Sequence, residues 1–295
     1  MLSIIIPTYN VRCQELVLAL QNACLKSSVS DCYEIIVGDD ASTDPEISRR
    51  TKNIAHLSNC SVITMETNVG KARMVNQLAK IAKYDNLLMI DSDARLYDIS
   101  FIENYIDEIK NGYDVVCGGI MTDDEEIEEN RQLRYKYELS FTNLRNLYYR
   151  SRHPFEYFST FNVLIRKDIF EKIQYNKRCT KYGYEDTVLG LDLKDMGYNV
   201  RHIDNPLIHT GIDSNENFVK KTENSLEILA SLDMHYQKQI KVSKFCLMLK
   251  KYKILPIITL LHRLFGNVER RNIIANSNLT LFKWYKIGYF SSLIK

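Results

Sequence analysis

Acidic side chains follow several short apolar runs, and the pair Asp91 and Asp93 is the clearest candidate for chemistry. This pair, in the triplet DSD, comes directly after the apolar run LLMI. Two carboxylates so close together repel each other unless a cation lies between them, and hard oxygen ligands suit Mg²⁺ or Mn²⁺. An EF-hand is excluded, because Ala94 and Arg95 stand where that motif needs another oxygen ligand and a glycine. The spacing therefore predicts a divalent-cation site.

Other polar groups occupy similar positions. Asp39 follows the apolar run EIIVG, where a carboxylate can accept hydrogen bonds from a nucleobase N–H or from ribose hydroxyls, while Asp44 is a good helix cap. Glu185 and Asp186 open a predicted helix, and the helix dipole alone favours acids there. His209 follows another apolar stretch, and a lone histidine of this kind is more often structural than a ligand.

A segment with the sequence NVGKAR contains two cations at the start of a predicted helix. It is not a P-loop, because Met65 stands in place of the first glycine and Ala72 in place of the Ser or Thr that binds Mg²⁺. Gly70 followed by Lys71 and Arg73 still suits an anionic phosphate.

The elements that position these groups alternate along the chain. Short apolar runs predict strands, and helical spacing of apolar residues predicts helices between them. Such an order predicts an α/β fold with a mostly parallel sheet covered on both faces, and ligands bind beyond the carboxyl ends of its strands. The predicted strands are Leu2–Pro7, Glu34–Gly38, Val62–Met65, Leu87–Ile90, Asp114–Cys117, 161–166 and 198–203. The predicted helices include 13–24, 75–82, 131–152, 167–173 and 185–196.

Composition excludes several classes of protein. The chain has 295 residues, 45% of them hydrophobic, which excludes a disordered or collagen-like chain and a disulfide-built mini-protein. Seven scattered cysteines without a CxxC pair predict reduced thiols in a cytoplasmic protein and disfavour a zinc site. The apolar run at the start is too short for a signal peptide or a membrane span, and the stretch 254–265 is too short to cross a bilayer.

Charge is distributed unevenly. Residues 238–295 contain 12 Lys and Arg and a single acid, Glu269, while the rest of the chain is acidic. An apolar helical stripe from Val242 to Leu249 is most often a surface that packs on its own domain, but the scarcity of acids favours contact with an anionic membrane. The acidic body and the absence of a recognition motif disfavour nucleic acid as a partner. The acidic run 123–129 is interpreted as a solvated loop.

Five segments together resemble a family-2 glycosyltransferase with the GT-A fold. In chain order they are SIIIPTYN, VGDDASTD, NVGKAR, LLMIDSDA and GYEDTVLGLDL, within residues 3–193. No single one of these motifs is specific for the family, but five of them in this order with plausible spacing are a strong signal. The resemblance implies a Rossmann-like GT-A catalytic domain over 1–235, whose halves 1–120 and 121–235 bind the nucleotide sugar and the acceptor. A basic, aromatic, mainly helical extension follows at 236–295.

The resemblance also implies a reaction, in which a sugar leaves a UDP-linked donor with inversion and joins a hydroxyl of a glycan or lipid-linked acceptor. Asp186 would be the general base and Glu185 would position the acceptor or Asp186. A divalent cation, Mn²⁺ or Mg²⁺, would bind Asp93 and Asp91, with His209 as a third ligand. The donor would be bound by Pro7, Thr8 and Tyr9 around the nucleotide, Asp39 at the base, Lys71 and Arg73 near the ribose or diphosphate, and Asp91 at the ribose.

The sequence departs from the family pattern at two points, and two other functions compete with sugar transfer. Ala94 stands where another acid often follows the metal-binding pair, and the QxxRW motif of processive synthases is absent. One alternative is a non-catalytic nucleotide-sugar-binding or partner subunit, which the intact acids at 39, 91, 93 and 186 disfavour. The other is a sugar nucleotidyltransferase, which needs a glycine-rich basic loop where this chain has PTYN. The expected location is the cytoplasm, with the chain peripheral on the cytoplasmic face of the membrane as a further option, and the oligomeric state stays open.

Overall fold

The computed structural model describes residues 1–123, 127–176 and 183–294, so Cys179 and part of the acidic run 123–129 lie outside the described residues. The chain forms two compact units. The first holds the described residues within 1–123, 142–180 and 185–211, and the second holds those within 124–141, 181–184 and 212–295. The functional halves expected at 1–120 and 121–235, and the extension expected at 236–295, stay predictions.

The first unit is built on a mostly parallel sheet, as the sequence predicts. Strand order is β3-β2-β1-β4-β8-β6-β9, and only β8 runs antiparallel to its neighbours. The strands are β1 (Leu2–Thr8), β2 (Tyr33–Asp39), β3 (Cys60–Thr64), β4 (Asn86–Ile90), β5 (Ala94–Arg95), β6 (Val115–Cys117), β7 (Ile120–Thr122), β8 (Asn162–Arg166), β9 (Arg201–His202) and β10 (Leu207–His209). Because β1, β2 and β4 are parallel, their carboxyl ends lie at one edge of the sheet.

A second, three-stranded sheet in the order β5-β10-β7 was not predicted. Its strands have only two or three residues each, which is too short for an alternating pattern to be recognised. The strand predicted over 198–203 is also shorter than expected, because only Arg201 and His202 pair with β6.

Helices cover the sheet of the first unit and make up the second. Those of the first unit are α1 (Gln14–Leu25), α2 (Pro45–Asn53), α3 (Lys71–Ile81), α4 (Phe101–Lys110), α6 (Thr142–Arg145), α7 (Leu147–Arg152), α8 (Lys167–Ile173) and α9 (Glu185–Asp195). Those of the second are α5 (Gln132–Leu139), α10 (Asn215–Ser231), α11 (Met234–Gln237), α12 (Lys241–Lys251), α13 (Leu255–Asn276) and α14 (Leu279–Leu293). The single helix predicted over 131–152 is interrupted, and Asn146 caps α7 by accepting the Tyr149 N–H.

Burial on both faces explains why the strands of the sheet are continuously apolar. Ile4 and Ile6 of β1 pack in the core formed with α1 and α4, while Ile5 packs on the opposite face. Val75 and Leu78 of α3 join Ile5 there, which confirms the predicted apolar stripe of that helix. A strand with helices on both sides has no solvent-facing positions for polar residues.

The second unit has its own core. Val219, Ile273 and Phe282 are buried together between α10, α13 and α14. In α12, Cys246 and Leu249 are buried as well, so the stripe predicted from Val242 to Leu249 packs within the protein. Across the described residues, the helices are all too short or too polar to span a membrane.

A buried arginine joins the ends of three elements in the first unit. Arg150 donates hydrogen bonds to the carbonyls of Ile203 (2.9 Å) and Gly118 (3.3 Å) and to Nδ1 of His202 (3.0 Å). Nε2 of His202 lies 2.9 Å from the Pro154 carbonyl, to which it donates. The histidine is therefore held neutral, and burial lowers the pKa of His202 to about 4.

This lowered pKa predicts a loss of stability in acid. The unfolded chain binds a proton at this histidine below its ordinary pKa of 6.5, whereas the folded chain resists until about 4. The contribution of His202 to the free energy of unfolding is thus fully present above pH 6.5. It falls by about 3 kcal/mol as the pH drops to 4. Denaturant unfolding of His202→Gln should show a correspondingly smaller fall between about pH 7 and about pH 4 than the unsubstituted chain.

The matched control is His56→Gln, which changes an exposed histidine of the same unit. We expect it to keep the full acid-dependent fall in the free energy of unfolding. Equal falls in the His202→Gln variant and the unsubstituted chain would show that the buried histidine contributes nothing to acid sensitivity.

Candidate active site

Asp39 presents an unpaired carboxylate oxygen at the end of β2. The residue is fully buried, and its Oδ1 accepts the Ser42 N–H at 2.9 Å. Its Oδ2 is also buried but has no hydrogen-bond partner among the described residues. A buried polar atom without a partner is costly, so this oxygen is available to a donor on a bound ligand.

Two loops at this edge of the sheet are tied together beside Asp39. Oδ1 of Asn10, after β1, accepts the N–H groups of Thr43 (2.9 Å) and Asp44 (3.0 Å). Asp44 in turn caps α2 through the Glu46 and Ile47 N–H groups, which confirms its predicted capping role. Ser42, by accepting the Asn10 N–H at 2.9 Å, closes the same set of contacts.

Asp40 occupies the N-terminus of α3, a role that sequence reasoning missed. Its two carboxylate oxygens accept the N–H groups of Val69 (2.7 Å) and Gly70 (2.8 Å). Both amides precede Lys71, the first residue of α3, so the anionic phosphate that the sequence predicts at this helix start stays a prediction. The position of Asp40 beside Asp39 was the available signal, because a second acid at a strand end needs a donor.

Lys71, the first residue of α3, connects two of the predicted site acids. Its Nζ lies 2.7 Å from Oδ1 and 2.8 Å from Oδ2 of Asp91, and 3.9 Å from Oδ1 of Asp186. Burial lowers the pKa of Lys71, but the charges of Asp186 and Asp91 outweigh it and hold that pKa well above its usual value. For Asp91, burial raises the pKa to about 6, against the effect of Lys71 and with that of Asp93.

Asp186 is held by a residue that sequence reasoning also missed. The Thr160 hydroxyl donates to Oδ1 of Asp186 at 2.5 Å, and the Thr160 N–H donates to Oδ2 at 3.0 Å. Thr160 is 1% exposed and lies just before β8. No motif links it to a helix start 26 residues later, so only the fold reveals this contact. Glu185, next to Asp186, is buried.

Asp93 and His209 meet where the small sheet pairs β5 with β10. His209 is opposite Ala94 in this pairing, and its Nε2 lies 3.2 Å from Oδ2 of Asp93. Thr210 donates its N–H to the Asp93 carbonyl at 2.9 Å, and a side chain in place of Gly211 would collide with the Asp93 carboxylate. Burial works to raise the pKa of Asp93, but the contact with His209 outweighs it and lowers that pKa.

The donor set fits a divalent cation with few protein ligands. Within the described residues, no three His, Cys, Asp or Glu side chains form a metal-binding group. The carboxylate of Asp93 is a donor type that Mg²⁺ and Mn²⁺ prefer, and its Oδ2 lies 3.2 Å from Nε2 of His209, which is a hydrogen-bond distance. Mg²⁺ commonly binds one or two carboxylates and completes its shell with phosphates and water. Asp91, the other expected ligand, forms an ion pair with Lys71.

Four other predicted site residues make no hydrogen bond or ion pair with Asp91, Asp93 or Asp186 among the described residues. Arg73 of α3 is exposed and makes no hydrogen bond or ion pair within the described residues. Tyr9 is 44% exposed after β1, while Pro7 and Thr8 are buried in that strand. In the sheet register Thr8 is opposite Asp39, so these residues share the edge with it.

The double hydrogen bond of Asp40 predicts a stability effect. In Asp40→Asn one carboxylate oxygen becomes an NH₂ group that faces an N–H donor, so we expect a loss of about 2 kcal/mol. Denaturant unfolding measures this loss, and amide exchange at Val69 and Gly70 should speed up. Asp44→Asn is the control, because Asp44 caps α2 through Oδ1 alone and asparagine caps as well as aspartate. Equal losses in both variants would contradict the assigned role of Asp40.

Comparison with solved structures identifies similar folds. S. aureus TarS 1–349 aligns with a TM-score of 0.53 and 17% identity, over 99% of this chain and 89% of that one. The same protein in complex with UDP-GlcNAc gives a TM-score of 0.52 and 17% identity, over 99% and 90% of the two chains. The mannosyltransferase PcManGT from Pyrobaculum calidifontis, in complex with GDP-Man and Mn²⁺, gives 0.58 and 16%, over 99% and 85%. These similarities confirm the GT-A fold.

Comparison by sequence identifies the family. No curated protein matches the chain. The family model described as Glycosyl transferase family 2 matches residues 3–174, which is more than half of the sequence. The matched region includes four of the five segments that suggested this family, from β1 to the DSD triplet. The chain therefore belongs to glycosyl transferase family 2, and it is a glycosyltransferase.

Proposed function

We propose that this glycosyltransferase moves a sugar, with inversion, from a UDP-linked donor to a hydroxyl of a glycan or lipid-linked acceptor in the cytoplasm. The observation that carries the proposal is the position of Lys71, whose Nζ contacts Asp91 at 2.7 Å and lies 3.9 Å from Asp186. The ammonium group of Lys71 thus lies near both Asp91, which is proposed to contact the donor, and Asp186, the candidate base.

The donor nucleotide is proposed to bind along the carboxyl edge of the sheet, with its base at Asp39. The unpaired Oδ2 of Asp39 would accept a base N–H, and Pro7, Thr8 and Tyr9 would line the pocket. Neighbouring strands lie about 4.8 Å apart, so the ends of β2 and β4, on either side of β1, are about 10 Å apart. That span leaves room for a ribose between a base at Asp39 and a diphosphate near Asp91.

The leaving diphosphate is proposed to lie near Lys71 and Arg73. As the bond between the sugar's anomeric carbon and the diphosphate breaks, the diphosphate gains negative charge, which these cationic side chains would offset. Asp93 and His209 are proposed to hold Mn²⁺ or Mg²⁺, with Asp91 adjacent. A divalent cation bound there would act as a Lewis acid on the diphosphate.

Asp186 is proposed to take the proton of the acceptor hydroxyl. The N–H and hydroxyl of Thr160 fix its carboxylate, so it cannot rotate freely when the acceptor arrives. Glu185 is proposed to position Asp186 or the acceptor. Inversion needs a single displacement and one base on the face opposite the leaving group, without a covalent intermediate.

Product analysis tests the reaction itself. The purified chain, a UDP-sugar and a hydroxyl acceptor should release UDP in proportion to transferred sugar. Pyrophosphate as a product would instead indicate nucleotidyl transfer, and donor binding without any product would indicate a non-catalytic subunit. Either result would overturn the proposed function.

Asp186→Asn is expected to remove transfer and leave donor binding intact. A positioned general base contributes about 10²–10⁴ in rate, so kcat should fall by at least two orders of magnitude. Calorimetric titration with the donor should still show binding. Asp107→Asn, which removes an exposed acid on α4, is the control and should keep normal turnover. Near-normal turnover of Asp186→Asn would exclude this residue as the base.

Metal removal is expected to stop the reaction. EDTA should abolish turnover, and adding Mn²⁺ or Mg²⁺ back should restore it, because the diphosphate charge would otherwise be offset by side chains alone. In a thermal-shift screen of UDP-, GDP- and dTDP-sugars, the preferred donor should raise Tm more with Mn²⁺ than without it. Full activity in EDTA would exclude a divalent cation from the mechanism.

A further inference from the structure

The longest helix of the second unit, α13, exposes a continuous apolar face. Its residues follow spacings of three and one, which places them on one side of the helix. We define them as the α13 stripe: Ile257 (60% exposed), Leu260 (57%), Leu261 (49%), Leu264 (64%), Phe265 (52%) and Val268 (63%). Single exposed apolar residues are normal on protein surfaces, but a contiguous row of large ones marks a surface that contacts something apolar.

The opposite side of α13 is firmly packed, so the exposure is not that of a loose terminal helix. Gly266 and Ile273 are buried, and a side chain at Gly266 would collide with the imidazole of His262. The His262 ring stacks edge-on against Tyr285 of α14 at 5.2 Å between centroids. The helix is therefore held in place by its own unit with the stripe facing away from that core.

The exposed charged side chains on α13 and just before it are positive. Lys251 and Lys253 precede the helix, and Arg263 and Arg271 lie on it; all four are exposed. Residues 238–295 contain 12 Lys and Arg against one acid, Glu269, so their net charge is +11. The Glu269 carboxylate lies 3.6 Å from Nδ1 of His262, on the packed side of the helix. The exposed charged groups on α13 and just before it are therefore cationic.

These charges distinguish a lipid surface from a second copy of the chain. Two copies packed stripe to stripe would bring Arg263, Arg271 and their symmetry equivalents together, and like charges in an interface disfavour it. An anionic bilayer offers complementary phosphates at the level of the cations and an acyl boundary at the level of the apolar side chains.

We propose that the α13 stripe inserts into the interface of an anionic lipid bilayer and attaches the protein peripherally to the membrane. This inference does not depend on the proposed reaction. It assigns the attachment to α13, within the basic segment 238–295 for which the sequence predicts contact with an anionic membrane. The stripe from Val242 to Leu249 does not serve this role, because its Cys246 and Leu249 are buried.

Vesicle sedimentation with the full chain tests the proposal. The chain should pellet with phosphatidylcholine vesicles that contain about one quarter phosphatidylglycerol. It should pellet much less with vesicles of phosphatidylcholine alone. The variant Leu260→Asn with Leu264→Asn should bind at least about tenfold more weakly. The control is Leu18→Asn with Leu25→Asn, which changes two exposed leucines of α1 and should bind like the unsubstituted chain.

A second variant separates charge from apolar contact and guards against misfolding. Arg263→Gln with Arg271→Gln keeps the stripe intact, should retain Tm, and should lose most of its preference for anionic vesicles. Light scattering completes the test. Failure of the unsubstituted chain to pellet, equal pelleting of all variants, or a dimer that Leu264→Asn dissociates would each overturn the proposal, and the last would assign the stripe to a second copy. None of these assays uses donor or acceptor, so their failure is distinct from failure of the proposed reaction.

Discussion

The candidate site depends on the attraction between one ammonium group and the carboxylates around it. Asp91, Asp93 and Asp186 would repel one another in a partly buried region, and Lys71 offsets that repulsion by lying 2.7 Å from Asp91 and 3.9 Å from Asp186. The backbone of Lys71 has little conformational freedom, because this residue begins α3 and the two preceding N–H groups donate to Asp40. The ends of the strands, the start of α3 and the balance of charge are thus coupled. A change at one of them alters the others.

The sheet follows from the sequence because its determinant is local. Apolar runs such as LSIIIP and EIIVG have no solvent-facing positions, which only a strand covered on both faces satisfies. The short sheet that pairs β5 with β10 escaped prediction because two-residue strands carry no pattern and depend on the neighbours that the fold supplies. The interruption of the helix predicted over 131–152 likewise depends on a specific cap, Asn146, rather than on average propensity.

The acids of the site were recognisable from their places after strands, but their partners were not. Asp39 and Asp91 stand out because each directly follows an apolar run. Asp186 stands out only through the family resemblance, since the helix dipole by itself favours an acid at a helix start. Thr160 carries no such mark, since threonine before a strand is common and its partner lies on a distant helix. The exposed face of α13 belongs to the same category, because only packing determines which side of an apolar helix stays uncovered.

Asp40 has a consequence for how the enzyme meets its donor. Loops that wrap phosphates often stay disordered until the ligand supplies the missing anion, and ordering them then consumes part of the binding free energy. Here the Asp40 carboxylate already accepts hydrogen bonds from the Val69 and Gly70 N–H groups. The conformational entropy of this loop is therefore lost during folding and not on ligand binding. The backbone at this edge of the candidate site is therefore shaped before any ligand binds.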